Sequence, residues 1–391
     1  MNTYFKVNQV IEKEYHPYST ETIGLEHALG RVLQEDIVAD MHMPPFDKSA
    51  MDGYACRRSD LENELEILEV VQAGKLPRQK IEKNQCSKIM TGAAIPEGAD
   101  CVFMIEDAEL IEDNKVRCTN LKTKSNIRIK GEDYQTGEVL IKKGRVITPA
   151  HIGTMAGAGY TRVSASKPPG VAVISTGSEL VAPGKKPGAG QIRNSNSIQL
   201  LSQLKTMGIN ATHLGIVEDD ADRIAEHFEK SLHAHDVVII TGGASKGEVE
   251  FIPHILQNHG FKVLVEKTGV KPGNPMTFSK KASKYCFGLS GNPVSSFVQF
   301  ELFVKPFIYR GLGCNWEPLR YKGMLKQEFT RKKGGRLGII PVNIDENNWI
   351  EETGFHGSAH INALPNANAL MEVPEGVTRL MKGEEVYVRR I

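Results

Sequence analysis

Between residues 170 and 300 apolar strands alternate with amphipathic helices, and no other feature of the chain restricts its fold as tightly. VAVIST (171–176) leads through a loop into a helix whose apolar residues include Leu200, Leu201 and Leu204, and ATHLGIV (211–217) reads as a second strand. A helix with Ile224, Phe228 and Leu232 at four-residue spacing precedes the strand DVVIIT (236–241). A further helix, FKVLVE (261–266), YCFGLS (285–290) and a last helix from about Pro293 follow. Strands apolar on both faces, separated by helices, specify a mostly parallel sheet covered on both sides, a doubly wound α/β domain.

The remaining sequence is patterned differently. At 391 residues the chain is longer than one hydrophobic core usually spans, so several domains are expected. Residues 1 to 40 carry helical apolar spacing in Leu25, Ala28, Leu29 and Val32, then the strand-like Asp36-Ile-Val-Ala. From 43 to 133 short β-rich runs (LEILEVV, CVFMIEDAEL, KVRC) are broken by Gly, Pro and Asn, as in a small β domain. ITPAHIGTMAGAGYTRV then returns to a helix and a strand, which permits 43–133 to be an insertion into an amino-terminal α/β unit. SKPPG (166–170) is a linker candidate, since tandem prolines continue neither a helix nor a central ladder. Residues 315–391 are short β-like runs ending in GEEVYVRRI, consistent with a small barrel or sandwich.

Charge and cysteine usage exclude several function classes. The 48 basic and 47 acidic side chains nearly cancel, so no global field favours nucleic acid or an anionic membrane surface, and any anion must be held by a local site. Six scattered cysteines contain no C-x-x-C pair and no His in zinc spacing, and read as reduced, mostly buried thiols. The amino terminus is charged where a signal peptide is apolar, and no run of about 18 apolar residues occurs, so a soluble cytoplasmic protein is expected.

In an open parallel sheet, ligands bind beyond the carboxyl ends of the strands, where glycines admit the ligand and helix amino termini favour anions. Here VAVIST ends in TGSEL, DVVIIT in GGASKGEVE and CFGLS in GNPVSS. Three such loops on one edge, carrying Glu179, Glu248, Glu250 and the Lys246 cation, point to a phosphate and Mg²⁺ site, because carboxylates tolerate phosphates only through a bridging hard cation. Lys271 sits in a Pro-Gly turn and reads equally well as a solvated lysine. His356 and His360 are four apart like metal ligands on a helix, but Gly357 and Ser358 interrupt helix propensity and no third ligand is evident, so Ser358 as a polar ligand contact is preferred to zinc. PPFDKSAMDGYACR (44–57) places Asp47 and Asp52 among small residues; an Asp-Gly turn needs no function, so Asp52 is ambiguous on its own.

In order, PPFDKSAMDGYA, IMTGAAIPEGAD, IKGED, STGSEL, GGASKGE, VKPGNP, GNPVS and HGSAHI closely resemble the molybdopterin molybdenumtransferases, the molybdenum insertases that also form the carboxy-terminal part of gephyrin. The resemblance covers nearly the whole chain. It implies an elongated amino-terminal domain (1–42 and 134–166), an inserted β domain (43–133), a doubly wound domain shared with molybdopterin adenylyltransferases (167–314) and a carboxy-terminal β domain (315–391). It further implies a homodimer with a composite active site, and a Mg²⁺-dependent reaction of adenylylated molybdopterin with molybdate that yields molybdenum cofactor and AMP. A molybdopterin adenylyltransferase and acceptor molybdoenzymes are then possible partners. On this resemblance Asp52, Glu179, Glu250 and Lys271 are the candidate catalytic residues. Substrate binding is assigned to Thr91, Asp133, Thr176, Gly177, Gly242, Gly243, Ser245, Lys246, Gly291, Asn292, Pro293 and Ser358, and Mg²⁺ binding to Glu179, Asp219, Asp220 and Glu250.

The chain departs from the family pattern at Lys48 (Asn), Ser178 (Asp), Glu250 (Asp), Asn274 (Lys) and Ser290 (Pro). The loss of a cation at Asn274 bears on oxyanion binding. Two other readings stay open at this point: an adenylyltransferase that makes the adenylate, and a scaffold paralogue that binds pterin without turnover. Against the first, some 165 residues with their own motifs precede the shared domain.

Overall fold

The computed structural model describes residues 3–242 and 251–391. The chain forms two compact units, one of Met1–Glu35, Gly144–Thr148 and Arg162–Ile391, the other of Asp36–Lys143 and Pro149–Thr161. Among the described residues no helix is long and apolar enough to cross a membrane.

The first unit contains the doubly wound domain. Its elements are β1 (Val171–Thr176), α1 (Asn196–Thr206), β2 (Thr212–Val217), α2 (Ala221–Ala234), β3 (Val237–Thr241), α3 (Phe251–Asn258), β4 (Lys262–Lys267), β5 (Pro275–Lys281), β6 (Lys284–Leu289) and α4 (Pro293–Gln299). The sheet order is β2-β1-β3-β6-β5-β4, parallel from β2 to β6. Alternate residues of β1 and β3 enter opposite cores. Val171, Val173, Val237 and Ile239 pack on one face, and Ala172, Ile174, Val238 and Ile240 on the other. Burial on both faces is why these strands are unbroken apolar runs, each large side chain contributing about 1.5–3 kcal/mol.

Three local expectations need correction. β5 was not legible as a strand; it pairs antiparallel with both β6 and β4, so the sheet is mixed at that end. The helical spacing around Leu25–Val32 yields only a 3₁₀ turn at Leu25–His27, because Gly30 adopts φ 75° and Val32 bridges to Val146 instead. The helix of this region lies earlier, at Thr3–Lys13, where Tyr4, Val7 and Ile11 are buried.

Residues after 314 form a closed barrel. Leu337–Ile344 pairs with Trp349–Glu352 on one side and Ala369–Val373 on the other, and Arg320–Leu325 and Glu385–Arg390 complete the ring. The two-residue strand Val270–Lys271 joins it, in register with Leu337 and Gly338, which seats Lys271 against the barrel. The second unit has its own six-stranded sheet, ordered Cys101–Met104, Gly53–Cys56, Gln85–Ile89, Glu64–Val71, Lys115–Cys118 and Ala108–Glu112. All six cysteines are buried free thiols.

Candidate active site

At the carboxyl edge of the doubly wound sheet the ends of β1, β3 and β6 lie side by side. Gly242, directly after β3, has φ 119°, and a Cβ there would stand 2.0 Å from the Thr176 carbonyl oxygen. Only glycine allows this approach. Thr176 is buried, and its Oγ1 has no hydrogen-bond partner among the described residues. Asn196, at the start of α1, donates from Nδ2 to Thr241 Oγ1 (3.1 Å) and to the Gly291 carbonyl (2.8 Å), tying two strand ends together. Pro293 occupies the first turn of α4, where its missing N–H costs nothing. Gly243, Ser245, Lys246, Glu248 and Glu250 lie outside the described residues.

The acidic candidates separate. The Glu179 carboxylate folds back over the β1 loop, both oxygens 2.9 Å from the point a Cβ of Gly177 would occupy. Asp219 Oδ2 accepts from Ser178 N at 3.4 Å, on the same loop. Asp220 instead caps α2, its Oδ1 accepting from Arg223 N at 2.9 Å. Among the described residues no three carboxylate, imidazole or thiolate side chains converge as a ready metal cage. Mg²⁺ usually keeps one or two carboxylates plus phosphate oxygens, so the pair Glu179 and Asp219 fits an ion that arrives with a phosphorylated substrate.

Beside this edge is a cavity of about 400 Å³ whose wall includes Lys271, Ser290, Asn292, Arg336, His356 and Ser358. Ser358 is fixed through its backbone, whose carbonyl accepts from Val294 N at 3.1 Å. Lys271 and Arg336 are exposed and make no hydrogen bond or ion pair through their side chains among the described residues, unlike Arg331, whose guanidinium is spent on the carbonyls of Arg336, Val373, Pro374 and Val377. Partial burial raises the Glu352 carboxyl above the usual glutamate range, and His356 pulls it the other way. Phe329 and Phe355 add apolar wall. Sequence reasoning missed Arg336, Glu352 and both aromatics, since the barrel strands carry no motif; only the neighbouring HGSAHI stood out.

In the second unit, Asp52 precedes the strand Gly53–Cys56 and its Oδ1 accepts from Thr91 N (2.6 Å) and Thr91 Oγ1 (2.7 Å). These bonds, the backbone one foremost, hold the exposed Asp52 carboxyl below the usual aspartate range. Gly53 serves strand packing, because a Cβ there would meet the Phe103 carbonyl at 2.0 Å. Asp47 Oδ1 accepts from Lys130 N at 2.7 Å. Asp133 lines a neighbouring groove of about 540 Å³ with Met43, Pro44, Lys48, Arg128 and Glu132.

Three family models match the chain in order: the MoeA N-terminal region (domain I and II) over residues 4–159, the probable molybdopterin binding domain over 172–310, and the MoeA C-terminal region (domain IV) over 325–390. The molybdopterin molybdenumtransferase of Staphylococcus epidermidis strain RP62A is 34% identical over 388 residues, 97% of this chain and 93% of the relative. The chain belongs to the molybdopterin molybdenumtransferases. A second relative of that name, from Staphylococcus aureus strain MRSA252, is 34% identical over 98% of this chain and 94% of its own. The solved molybdopterin biosynthesis moeA protein of Pyrococcus horikoshii OT3 is 30% identical, with a TM-score of 0.83 over 99% of both chains. Within the molybdenumtransferase family the doubly wound domain, barrel and β-rich amino-terminal region of this chain are therefore expected company, and its cavity and strand-end loops are the parts to which chemistry must be assigned.

Proposed function

We propose that this transferase of molybdenum cofactor biosynthesis inserts molybdate into adenylylated molybdopterin and cleaves the adenylate, releasing molybdenum cofactor and AMP. The observation that carries the reading is the union of two features in one place: the glycine-lined strand ends and a cavity with two cations, Lys271 and Arg336, whose side chains have no partner among the described residues. Molybdate is a tetrahedral dianion and suits Lys271, Arg336 and the Ser358 hydroxyl. Thr176, Gly177, Gly242, Gly243, Ser245, Lys246, Gly291, Asn292 and Pro293 then take the phosphate and pterin side of the substrate. Glu179, Asp219 and Glu250 would hold Mg²⁺, which supplies neutralising charge between carboxylates and phosphates. Asp220 remains a helix cap.

Asp52, Thr91 and Asp133 belong to the other compact unit. On the family resemblance they act on substrate held by a partner subunit in a C₂ homodimer, giving two composite sites. Asp52→Ala and Glu250→Ala are then each inactive, while randomly mixed subunits recover about a quarter of wild-type activity, because each heterodimer keeps one intact site. Verified heterodimers that stay inactive, with both single variants folded and dimeric, would mean that Asp52 works in its own subunit or only shapes the turn.

Incubation with adenylylated molybdopterin, molybdate and Mg²⁺ tests the reaction. AMP release that requires all three is expected. Formation of the adenylate would point to an adenylyltransferase, and binding without turnover to a scaffold. Full AMP release in excess chelator removes the metal from the reading.

A further inference from the structure

β5 and β6 stop pairing at Thr277 and Gly288; beyond them the chain runs into the loops that carry Lys271 and Asn292 on the cavity wall. Gln299, at the end of α4, bridges these loops from below. It is completely buried. Its Nε2 donates to the Gly273 carbonyl (2.9 Å) and the Pro275 carbonyl (2.6 Å), and its Oε1 accepts from Ser290 N (2.8 Å). One amide thus holds both loops, through two buried bonds and one part-buried bond.

The brace depends on residue 290 having an N–H, which a proline there would lack. Beside it, Asn274 Oδ1 accepts from Gly269 N at 3.2 Å, so this side chain serves the shape of the same loop.

We infer that Gln299 is a positioning residue that fixes the spacing between the Lys271 loop and the Ser290–Asn292 loop, and thereby the affinity of the cavity for a tetrahedral oxyanion. The inference rests on the reading of the cavity as the molybdate site. Gln299→Met keeps the volume but takes the amide away from the Pro275 carbonyl and the Ser290 N–H, a costly state, and leaves the Gly273 carbonyl only its bond from Thr268 Oγ1 (2.7 Å).

Calorimetric titration of the full chain with molybdate alone tests this, with melting temperatures and molybdate-dependent turnover measured alongside. Gln299→Met is expected to weaken molybdate binding about tenfold or more, with kcat at saturating molybdate little changed. Val298→Ala, a buried neighbour on the same helix that touches neither loop by hydrogen bond, is expected to lower the melting temperature and leave affinity unchanged. Ser290→Pro should weaken binding in the wild-type background and less so beside Gln299→Met, where only the bond from Asn292 N to Ser290 Oγ (3.2 Å) is left for it to remove. Wild-type affinity in Gln299→Met, with Lys271→Met binding weakly, overturns the positioning role and spares the cavity assignment. Unchanged affinity in Lys271→Met overturns the cavity assignment itself. Should Gln299→Met fail to fold, Ser290→Pro alone decides, and undiminished binding by it overturns the inference.

Discussion

The corner at Asp52 and the cavity at Lys271 use charge in opposite ways. Asp52 is exposed, yet two bonds from Thr91 already hold one of its oxygens. Lys271 is equally exposed and its ammonium holds no partner among the described residues, its backbone instead being pinned to the barrel by the Val270–Lys271 strand. A carboxylate pre-bonded by its own loop is oriented before any substrate arrives, which is what a catalytic or positioning acid needs. A cation left open on a fixed backbone is suited to meeting an anion, gaining a charge-assisted bond only when one binds. On the proposed function, the acid of the reaction and the cation that meets the anion therefore belong to different compact units.

The comparison can be broken at the glycines that shape each region. Gly242→Ala carries the largest expected effect, because it adds both a forbidden φ of 119° and a 2.0 Å clash with the Thr176 carbonyl. A loss of about 2–4 kcal/mol in thermal or denaturant unfolding is expected, with turnover nearly abolished. Gly53→Ala meets the Phe103 carbonyl at 2.0 Å but lacks the unfavourable φ, so its loss should be smaller, about 1–3 kcal/mol. The ranking reverses only if the strand Gly53–Cys56 cannot shift at all.

A smaller effect sharpens the Asp52 side. Its folded pKa is depressed, so the associated stability is present above the usual aspartate pKa of about 3.9 and is lost as pH falls through the lowered value. Thr91→Val removes the hydroxyl donor and keeps the N–H, so the Asp52 pKa should rise part of the way towards normal. Carboxyl-carbon NMR titration reads this directly. An unchanged pKa would mean that the hydroxyl bond contributes nothing.

Much of this was legible in sequence, for identifiable reasons. β1 and β3 are buried on both faces, so they announce themselves as unbroken apolar runs. β5 hid because Pro275 and the charged Lys280 and Lys281 disguise a strand whose middle, Met276 to Ser279, is buried. The Thr3–Lys13 helix did leave a signal in the spacing of Tyr4, Val7 and Ile11, masked by the polar Lys6, Asn8 and Gln9 between them. Motif loops revealed Thr176, Gly242 and Asn292, whereas Arg336 and Glu352 reach the cavity only because Val270–Lys271 pairs with Leu337 and Gly338, far away in sequence. Asp219 and Asp220 were indistinguishable until the helix start put Asp220 on the Arg223 N–H.

The separation of the two roles is tested most directly by measuring molybdate affinity and AMP release in Asp52→Ala and Lys271→Met side by side. The account predicts that Asp52→Ala keeps wild-type molybdate affinity while losing turnover by about 100-fold or more, as expected for a group that acts mainly in the transition state. Lys271→Met should lose about tenfold or more in affinity, as for a charged hydrogen bond, and recover part of its rate at high molybdate. Affinity and rate falling in the same proportion in both variants would contradict it.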